Sequence, residues 1–175
     1  MNKAKRTKDE IFNLTIMKNI KRKSRFIDKV QLYEGKPLFS WIDINVTELC
    51  NRKCIFCQRK DENLYPNQNL NMPVSLAKKI AYELNECNFS GGVIFSGHSE
   101  PLLHKNISEM VAAFGKNIHT ELVTNGDKLT EKLLNDLFQA GLGVIIISMY
   151  DGPHQVDYFN GLFDKAGLIE NQYVL

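Results

Sequence analysis

The sequence predicts an α/β fold built from parallel βα units, because strand-like and helix-like segments alternate along most of its length. The strand-like segments are short and rich in β-branched and aromatic residues, and each helix-like segment carries one apolar stripe. Two of the strands, 92–96 and 143–148, are nearly continuous apolar runs, as in strands buried on both faces of a parallel sheet. The repeated alternation favours consecutive βα units on one sheet.

The predicted elements begin at residue 39, where a segment of roughly alternating apolar and polar residues indicates the first strand. The predicted strands are all short: 39–46, 92–96, 120–124, 143–148 and 171–175. The predicted helices lie between them, at 76–87, 107–114, 133–138 and 156–168. Gly141 is placed to end the third helix, and the Asn-rich stretch 63–71 is expected to be a loop.

The length sets how much of a barrel these units can form. The chain has 175 residues, of which 43% are hydrophobic, enough for one sizeable core. A complete eight-unit barrel takes about 250 residues, so residues 39–175 provide for about four and a half βα units. We therefore expect an incomplete core domain over 39–175, a partial (β/α) TIM-like barrel. An apolar last strand without a successor would leave an unpaired edge, so we expect a truncated product, a fragment or a wall supplied by a partner.

Residues 1–38 form a basic N-terminal extension in this interpretation. The first 25 residues contain nine Lys or Arg and two acidic residues, a local charge of +7, whereas the remaining 150 carry a net charge of −5. Such an arm can contact nucleic acid, an anionic surface or the acidic residues of the protein itself. No aromatic–basic alternation or RNA-binding signature accompanies the charge, so a solvated tail is favoured over these alternatives.

No segment resembles a targeting or membrane-spanning sequence. The early apolar stretch 11–17 is interrupted by Asn13 and Thr15, and the longest strongly apolar run, 144–147, is far too short to cross a bilayer. Four cysteines are too few for a disulfide-stabilised scaffold of this length, and three of them are clustered. A cytoplasmic protein without a membrane partner is expected.

Three cysteines, Cys50, Cys54 and Cys57, lie within eight residues directly after the first predicted strand. Thiolates at this spacing in a loop can each bind one iron of a [4Fe–4S] cluster, and Arg52 and Lys53 can offset the negative charge of the assembly. One iron is then left for a fourth protein ligand, a substrate or a cofactor.

The fourth ligand has three candidates in the sequence. Cys87 continues the apolar stripe of the first predicted helix and is expected to be a small buried core residue. His98 and His104 are expected to be exposed loop residues, but either one would complete a Cys3His zinc site. Structural zinc ligands usually come as two closely spaced pairs, so a structural zinc-binding module is the less favoured alternative.

Further polar residues follow the other predicted strands, where the chemistry of parallel α/β sheets is usually located. The second strand leads into Gly97-His98-Ser99-Glu100, the third into Asn125-Gly126, and the fourth into Ser148 and Asp151-Gly152. Asn-Gly and Asp-Gly are also favoured turn pairs, so turn chemistry explains them as well as function does.

The segment CNRKCIFC, residues 50–57, resembles the signature of the radical S-adenosylmethionine (radical SAM) superfamily, including the aromatic residue before the last cysteine. The resemblance implies that Cys50, Cys54 and Cys57 bind a [4Fe–4S] cluster, whose fourth iron is chelated by the methionyl amino and carboxylate groups of S-adenosylmethionine. It also implies reductive cleavage of that cofactor to a 5′-deoxyadenosyl radical, which abstracts hydrogen from a substrate. An electron donor of the flavodoxin or ferredoxin type is the expected partner.

Two further segments are similar to parts of that family. FSGHSEPLLH, residues 95–104, resembles the glycine-glycine-glutamate-proline segment that receives the methionyl amino group, although His98 and Ser99 depart from the usual form. IISMYDG, residues 146–152, resembles the exit of the fourth strand, where a polar residue contacts the ribose. The cofactor-binding residues that the resemblance implies are Gly97, His98, Ser99, Glu100 and Ser148.

The resemblance implies an enzyme without indicating its substrate. Members of the family typically use a six-unit partial barrel, and this chain resembles the first two thirds of one. The motifs look like the branch whose members carry a C-terminal auxiliary-cluster (SPASM-like) domain, yet no cysteine follows Cys87. The expected substrate is a small molecule or a peptide. The alternative is a truncated, inactive remnant that binds a cluster or S-adenosylmethionine without turnover.

Overall fold

The computed structural model describes residues 8–28 and 30–175 of the chain. The helices are α1 (Lys8–Ile27), α2 (Val74–Glu86), α3 (Ile107–Phe114), α4 (Glu131–Gln139) and α5 (His154–Lys165). The strands are β1 (Leu32–Tyr33), β2 (Lys36–Pro37), β3 (Trp41–Ile44), β4 (Gly92–Phe95), β5 (His119–Thr124), β6 (Val144–Ile147) and β7 (Tyr173–Val174).

Five strands form one parallel sheet in the order β3-β4-β5-β6-β7, so each strand pairs with its neighbours in sequence. The register pairs Ile44 with Phe95, Phe95 with Leu122, and Thr124 with Ile147, which brings the carboxyl ends of β3 to β6 to a common edge. The five predicted strands and four predicted helices are confirmed, with ends that differ by a few residues. The predicted α/β fold, a partial barrel of parallel βα units, is confirmed with them.

Helices α2 to α5 share one hydrophobic core with the sheet. Phe95 of β4 contacts Phe114 of α3 edge to face, with 5.7 Å between the ring centroids, and both side chains are buried. Leu122 of β5 and Ile145 of β6 are fully buried in the same core. Burial of one such side chain contributes about 1.5–3 kcal/mol, so the core fixes the strands and with them the loops that follow.

Helix α1 packs against the opposite face of the sheet. Because Leu122 points into the core, its neighbour Glu121 points the other way. There the fully buried Glu121 carboxylate forms an ion pair with Arg22 of α1. Phe26 of α1 contacts Trp41 of β3, with ring centroids 5.3 Å apart. Helix α1 therefore covers part of the face that the other helices leave open.

The solvated tail predicted for the N-terminal extension is wrong for residues 8–27. These residues form a helix, and Lys18 makes an ion pair with Glu170 at 3.1 Å in addition to the pair made by Arg22. Contact with the protein's own acidic residues, one of the alternatives, is the correct interpretation for this helix. The basic residues within 1–7 lie outside the described residues. No helix in the described part of the chain is both long and apolar enough to cross a membrane.

A short hairpin between α1 and the sheet has no counterpart in the sequence prediction. Strands β1 and β2 pair antiparallel and are joined by Glu34 and Gly35, whose φ angles are 50° and 76°. Two-residue strands are too short to show an alternating pattern, which is why the hairpin could not be read from hydrophobicity.

Candidate functional site

The loops that follow β3, β4, β5 and β6 meet at the carboxyl edge of the sheet and line one cavity of about 470 Å³. All eight residues that the sequence predicted to bind the cluster or S-adenosylmethionine are found in its wall. They are Cys50, Cys54 and Cys57 after β3, Gly97, His98, Ser99 and Glu100 after β4, and Ser148 after β6. The fold therefore brings the predicted site residues together, and their individual roles in cofactor binding stay predictions.

The cysteine loop, residues 50–57, is fixed by its own backbone and by a neighbouring loop. The backbone N–H of Cys57 donates to the carbonyl of Cys54 at 3.0 Å. The Asn67 side chain accepts from the backbone N–H of Cys50 at 2.9 Å and donates to the Cys50 carbonyl at 3.2 Å. The loop is thus a compact turn in which the three thiols are half-buried and free of disulfides.

The donor set of this loop fits an iron–sulfur cluster. Three free thiols at one wall of a cavity are the ligands that such clusters take. Burial raises the pKa of the Cys50 thiol, and the backbone N–H of Arg52 opposes the rise, whereas a bound metal ion would deprotonate the thiol outright. No three His, Cys, Asp or Glu side chains within 8–28 and 30–175 are grouped so that they could hold a single metal ion. A cluster binds each thiolate to a different iron, so its ligands need not converge on one point.

The other candidate ligands differ from expectation in two cases. Cys87 caps the C-terminal end of α2 and is half-buried rather than part of the core, because the apolar stripe stops where the helix stops. His104 is only 4% exposed instead of solvated, and its Nε2 lies 3.0 Å from the carbonyl oxygen of Met72, which draws the ring inward. His98 is exposed as expected and lines the cavity.

Glu100 is a buried carboxylate that joins two of the loops. Its Oε1 accepts from the Thr124 hydroxyl at 2.6 Å and from the Leu102 N–H at 3.0 Å, and its Oε2 accepts from the Asn125 N–H at 2.8 Å. Burial raises the pKa of Glu100, while these three hydrogen bonds oppose the rise. The carboxylate therefore ties the exit of β4 to the exit of β5, a role that the sequence did not indicate.

Gly97 is required by the close approach of the β4 exit to the residues after β3. Its φ angle is +118°, and a Cβ atom there would lie 2.8 Å from Oδ1 of Asn45. The Ser99 hydroxyl donates to the same Asn45 oxygen. The backbone of 97–99 thus lies against Asn45, directly after β3, and the positive φ at position 97 disfavours any residue other than glycine.

Arg52 bridges the cysteine loop to the loops after β5 and β6. Its Nε donates to Oδ2 of Asp127 at 2.7 Å, and its Nη1 donates to Oδ1 of Asp151 at 2.8 Å. These hydrogen bonds raise the pKa of Arg52 and lower that of Asp151. We call the set of Arg52, Asp127 and Asp151 the Arg52 latch.

The latch changes the interpretation of the basic residues in the cysteine loop. Arg52 is committed to two aspartates, and Lys53 is exposed and pairs with Glu62 at 2.5 Å. Both positive charges are therefore already paired with carboxylates of the protein. This leaves less positive charge in the loop to offset the negative charge of a cluster, the role predicted for Arg52 and Lys53. Asp127 was not singled out in the sequence, and Asp151 was readable equally well as a turn residue and as a site residue.

The turn pair after β5, Asn125-Gly126, combines turn chemistry with a contact to the cysteine loop. Asn125 Oδ1 accepts from the Asp127 N–H at 2.9 Å, as in an Asx turn, and its Nδ2 donates to Oδ1 of Asn51 at 3.0 Å. After β6, the Ser148 N–H donates to the Thr124 carbonyl at 2.8 Å, which extends the strand pairing to the cavity wall.

Comparisons with known proteins agree with this geometry. Residues 44–157 match the sequence profile of the Radical SAM superfamily. The chain is 30% identical over 141 residues to S-adenosyl-L-methionine-dependent 2-deoxy-scyllo-inosamine dehydrogenase of Niallia circulans, a match that covers 79% of this chain and 55% of the relative. It is 28% identical over 138 residues to Fe-coproporphyrin III synthase of Methanosarcina barkeri, covering 76% of this chain and 33% of the relative.

A solved structure shows the same architecture. The crystal structure of BtrN in complex with AdoMet and 2-DOIA superimposes with a TM-score of 0.65 at 30% identity, over 78% of this chain and 56% of that one. The chain thus spans about half the length, or less, of the relatives it matches. The sequence profile, the shared sheet and the cysteine loop together place the chain in the radical SAM superfamily, whose cofactors are a [4Fe–4S] cluster and S-adenosylmethionine.

Proposed function

We propose that this chain forms the cofactor-binding part of a radical SAM enzyme, which cleaves S-adenosylmethionine reductively to a 5′-deoxyadenosyl radical for hydrogen abstraction from a substrate. The observation that supports the proposal is the single cavity in which the three cysteines face the Gly97–Glu100 segment and Ser148. The two named relatives catalyse different reactions, so the part that they share with this chain supports the common cofactor chemistry rather than a particular substrate.

In this proposal each group of residues binds a different part of the cofactors. Cys50, Cys54 and Cys57 hold three irons of the cluster. The backbone of 97–99 receives the methionyl end of the cofactor, and Ser148 contacts its ribose. When bound by these cysteines, the cluster would supply the electron that breaks the sulfonium bond, and a flavodoxin- or ferredoxin-type protein is the proposed source of that electron. The substrate is a small molecule or a peptide.

Product formation tests the proposal. The protein is reconstituted anaerobically with iron and sulfide and then given dithionite and S-adenosylmethionine, and 5′-deoxyadenosine is measured by liquid chromatography. We expect release of this product by the wild type. Cys54→Ala should lose the cluster and the product, because one of three thiolate ligands is removed. Cys87→Ala is the matched control and should keep both, since Cys87 lies at the end of α2 and outside the cavity wall.

Each other outcome has a defined meaning. A wild-type protein with an intact cluster and no 5′-deoxyadenosine would contradict the activity and favour an inactive remnant. Stoichiometric zinc without iron or sulfide in protein purified without oxygen would contradict the cluster itself and favour the zinc-binding alternative.

A further inference from the structure

Arg59 is a buried cation beside the cysteine loop that neither the spacing nor the resemblance singled out. It lies on a 3₁₀ turn, Gln58–Lys60, two residues after Cys57, and is only 4% exposed. Burial of a guanidinium costs free energy unless each of its N–H donors has a hydrogen-bond partner. The partners of Arg59 therefore indicate which parts of the structure it connects.

The guanidinium of Arg59 reaches three separate segments. Its Nε donates to the carbonyl oxygen of His98, and its Nη2 forms an ion pair with Oε2 of Glu48 at 3.0 Å. Its Nη1 lies 3.5 Å from the carbonyl oxygen of Pro66 and 3.5 Å from Oδ1 of Asn67. The planar fork of an arginine can serve three directions at once, which a lysine ammonium on its flexible stem cannot reproduce.

Two of these contacts continue toward the cofactor-binding residues. Glu48 Oε1 accepts from Nδ2 of Asn45 at 2.9 Å, and Asn45 Oδ1 accepts from the Ser99 hydroxyl. On the other side, Asn67 is bonded to both backbone groups of Cys50. Arg59 thus stands at the junction between the first cysteine and the segment 97–99.

We propose that Arg59 is a positioning residue that fixes the cysteine loop relative to the segment 97–99 and thereby sets the affinity of the cluster-loaded protein for S-adenosylmethionine. The inference rests on the proposed function, in which this one cofactor must reach the cluster and the 97–99 backbone together. The hydrogen bonds of the Arg59 side chain go to other residues than the cysteines, and a lysine at this position keeps the positive charge near the Cys50 thiol, so loading of the cluster is expected to survive Arg59→Lys.

The test compares Arg59→Lys with the wild type after anaerobic cluster reconstitution. Iron and sulfide content and far-UV circular dichroism should match those of the wild type. The dissociation constant for S-adenosylmethionine, measured by anaerobic calorimetry without reductant, should rise about tenfold or more, because a lysine ammonium cannot keep the charge-assisted bonds to the His98 carbonyl and the Glu48 carboxylate at the same time. The change that S-adenosylmethionine causes in the electron paramagnetic resonance signal of the reduced cluster should be smaller at equal cofactor concentration.

Two further variants sharpen the comparison. Lys60→Ala is the matched control, because Lys60 is exposed on the same turn, and it should bind as the wild type does. Glu48→Gln keeps the size of the side chain while removing the charge that Arg59 pairs with, so it should also weaken binding. If Arg59→Lys does not fold, Glu48→Gln decides the proposal, and unchanged binding in that variant overturns it.

The outcomes separate the two proposals. Unchanged cofactor affinity and an unchanged resonance signal in Arg59→Lys overturn the role of Arg59 while the proposed function stands. Loss of iron and sulfide from a folded Arg59→Lys also overturns it, because Arg59 would then retain the cluster rather than position its partner. A cluster-loaded wild type that binds no S-adenosylmethionine refutes the proposed function instead.

Discussion

His119, the first residue of β5, is enclosed by charged side chains of two elements. Its Nε2 lies 2.9 Å from Oε1 of Glu121, and Nη2 of Arg25 lies 2.9 Å from its Nδ1. Burial, followed by the charges of Arg25 and Arg22, lowers the pKa of His119 from 6.5 to about 4. The Glu121 carboxylate acts in the opposite direction, but its charge is already balanced by Arg22. His119 is therefore neutral in the folded protein at neutral pH.

Acidification should destabilise the fold through this residue. The unfolded chain binds the His119 proton near pH 6.5 and the folded chain only near pH 4, so the unfolded state holds more protons between these values. The contribution of His119 to the free energy of unfolding should fall as the pH drops from about 6.5 and level off below about 4. Urea unfolding across this range should show a steeper fall in the wild type than in His119→Gln. Parallel curves for the two proteins would contradict the prediction.

The site residues differ in how far the sequence could reveal them. The spacing of Cys50, Cys54 and Cys57 is local, so the candidate ligand set can be read directly from the sequence. The partners of Arg52 lie 75 and 99 residues further along the sequence, and no local sequence pattern indicates them. The same holds for Glu100, which could be singled out as a site residue but whose two bonds to Thr124 and Asn125 at the exit of β5 depend on strand register.

Helix α4 illustrates an element whose beginning is specified by one side chain. The Thr130 hydroxyl accepts from the N–H of Leu133 at 3.2 Å and thereby satisfies a donor that the helix itself cannot pair. The helix then buries Leu134 and Leu137 against the core. The apolar stripe made this helix predictable, whereas its first turn, which follows the Thr130 cap, was not part of the prediction.

Removal of that cap should weaken the fold measurably. Thr130→Ala is expected to lower the free energy of unfolding by about 1 kcal/mol, because the N-terminal donor loses its partner. Thr130→Ser keeps the hydroxyl and should recover most of the loss. Urea unfolding of the three proteins measures both differences. Equal stability of Thr130→Ala and the wild type would show that the cap does not contribute.

Helix α1 and the β1–β2 hairpin are elements that the hydrophobic pattern of the sequence did not predict. The strands and helices after residue 39 repeat a hydrophobic period, and that period is a local property of the sequence. Helix α1 instead depends on Glu121 and Trp41, which are distant in sequence and become neighbours only in the folded sheet. Its dense basic charge therefore looked like a solvated tail.

Across the whole molecule, the one tryptophan of the sequence reports whether α1 is seated on the sheet. Trp41 lies on β3, with the ring of Phe26 at 5.3 Å and the guanidinium carbon of Arg22 at 5.9 Å from its ring centroid. Both contacts come from α1. The fluorescence of Trp41 is therefore a direct probe of the contact between the N-terminal extension and the sheet.

Loss of this contact should expose the indole. Phe26→Ala is expected to shift the Trp41 emission to longer wavelength and to increase quenching by acrylamide, because one face of the ring loses its apolar neighbour. Met17→Ala is the matched control, since Met17 lies on the same helix with 62% of its surface exposed. Emission that is identical in wild type and Phe26→Ala would contradict the packing of α1 on this face.

The Arg52 latch also bears on the order in which the protein matures. Its two ends, Arg52 and Asp151, are separated by 99 residues, so the latch closes only after β6 and its exit loop have left the ribosome and joined the sheet. Until then the cysteine loop lacks the Asp151 carboxylate, and only Asp127, which precedes β6, can pair with Arg52. We therefore expect iron and sulfide to be delivered to a chain that has already folded through β6, and not to the cysteines as they are synthesised.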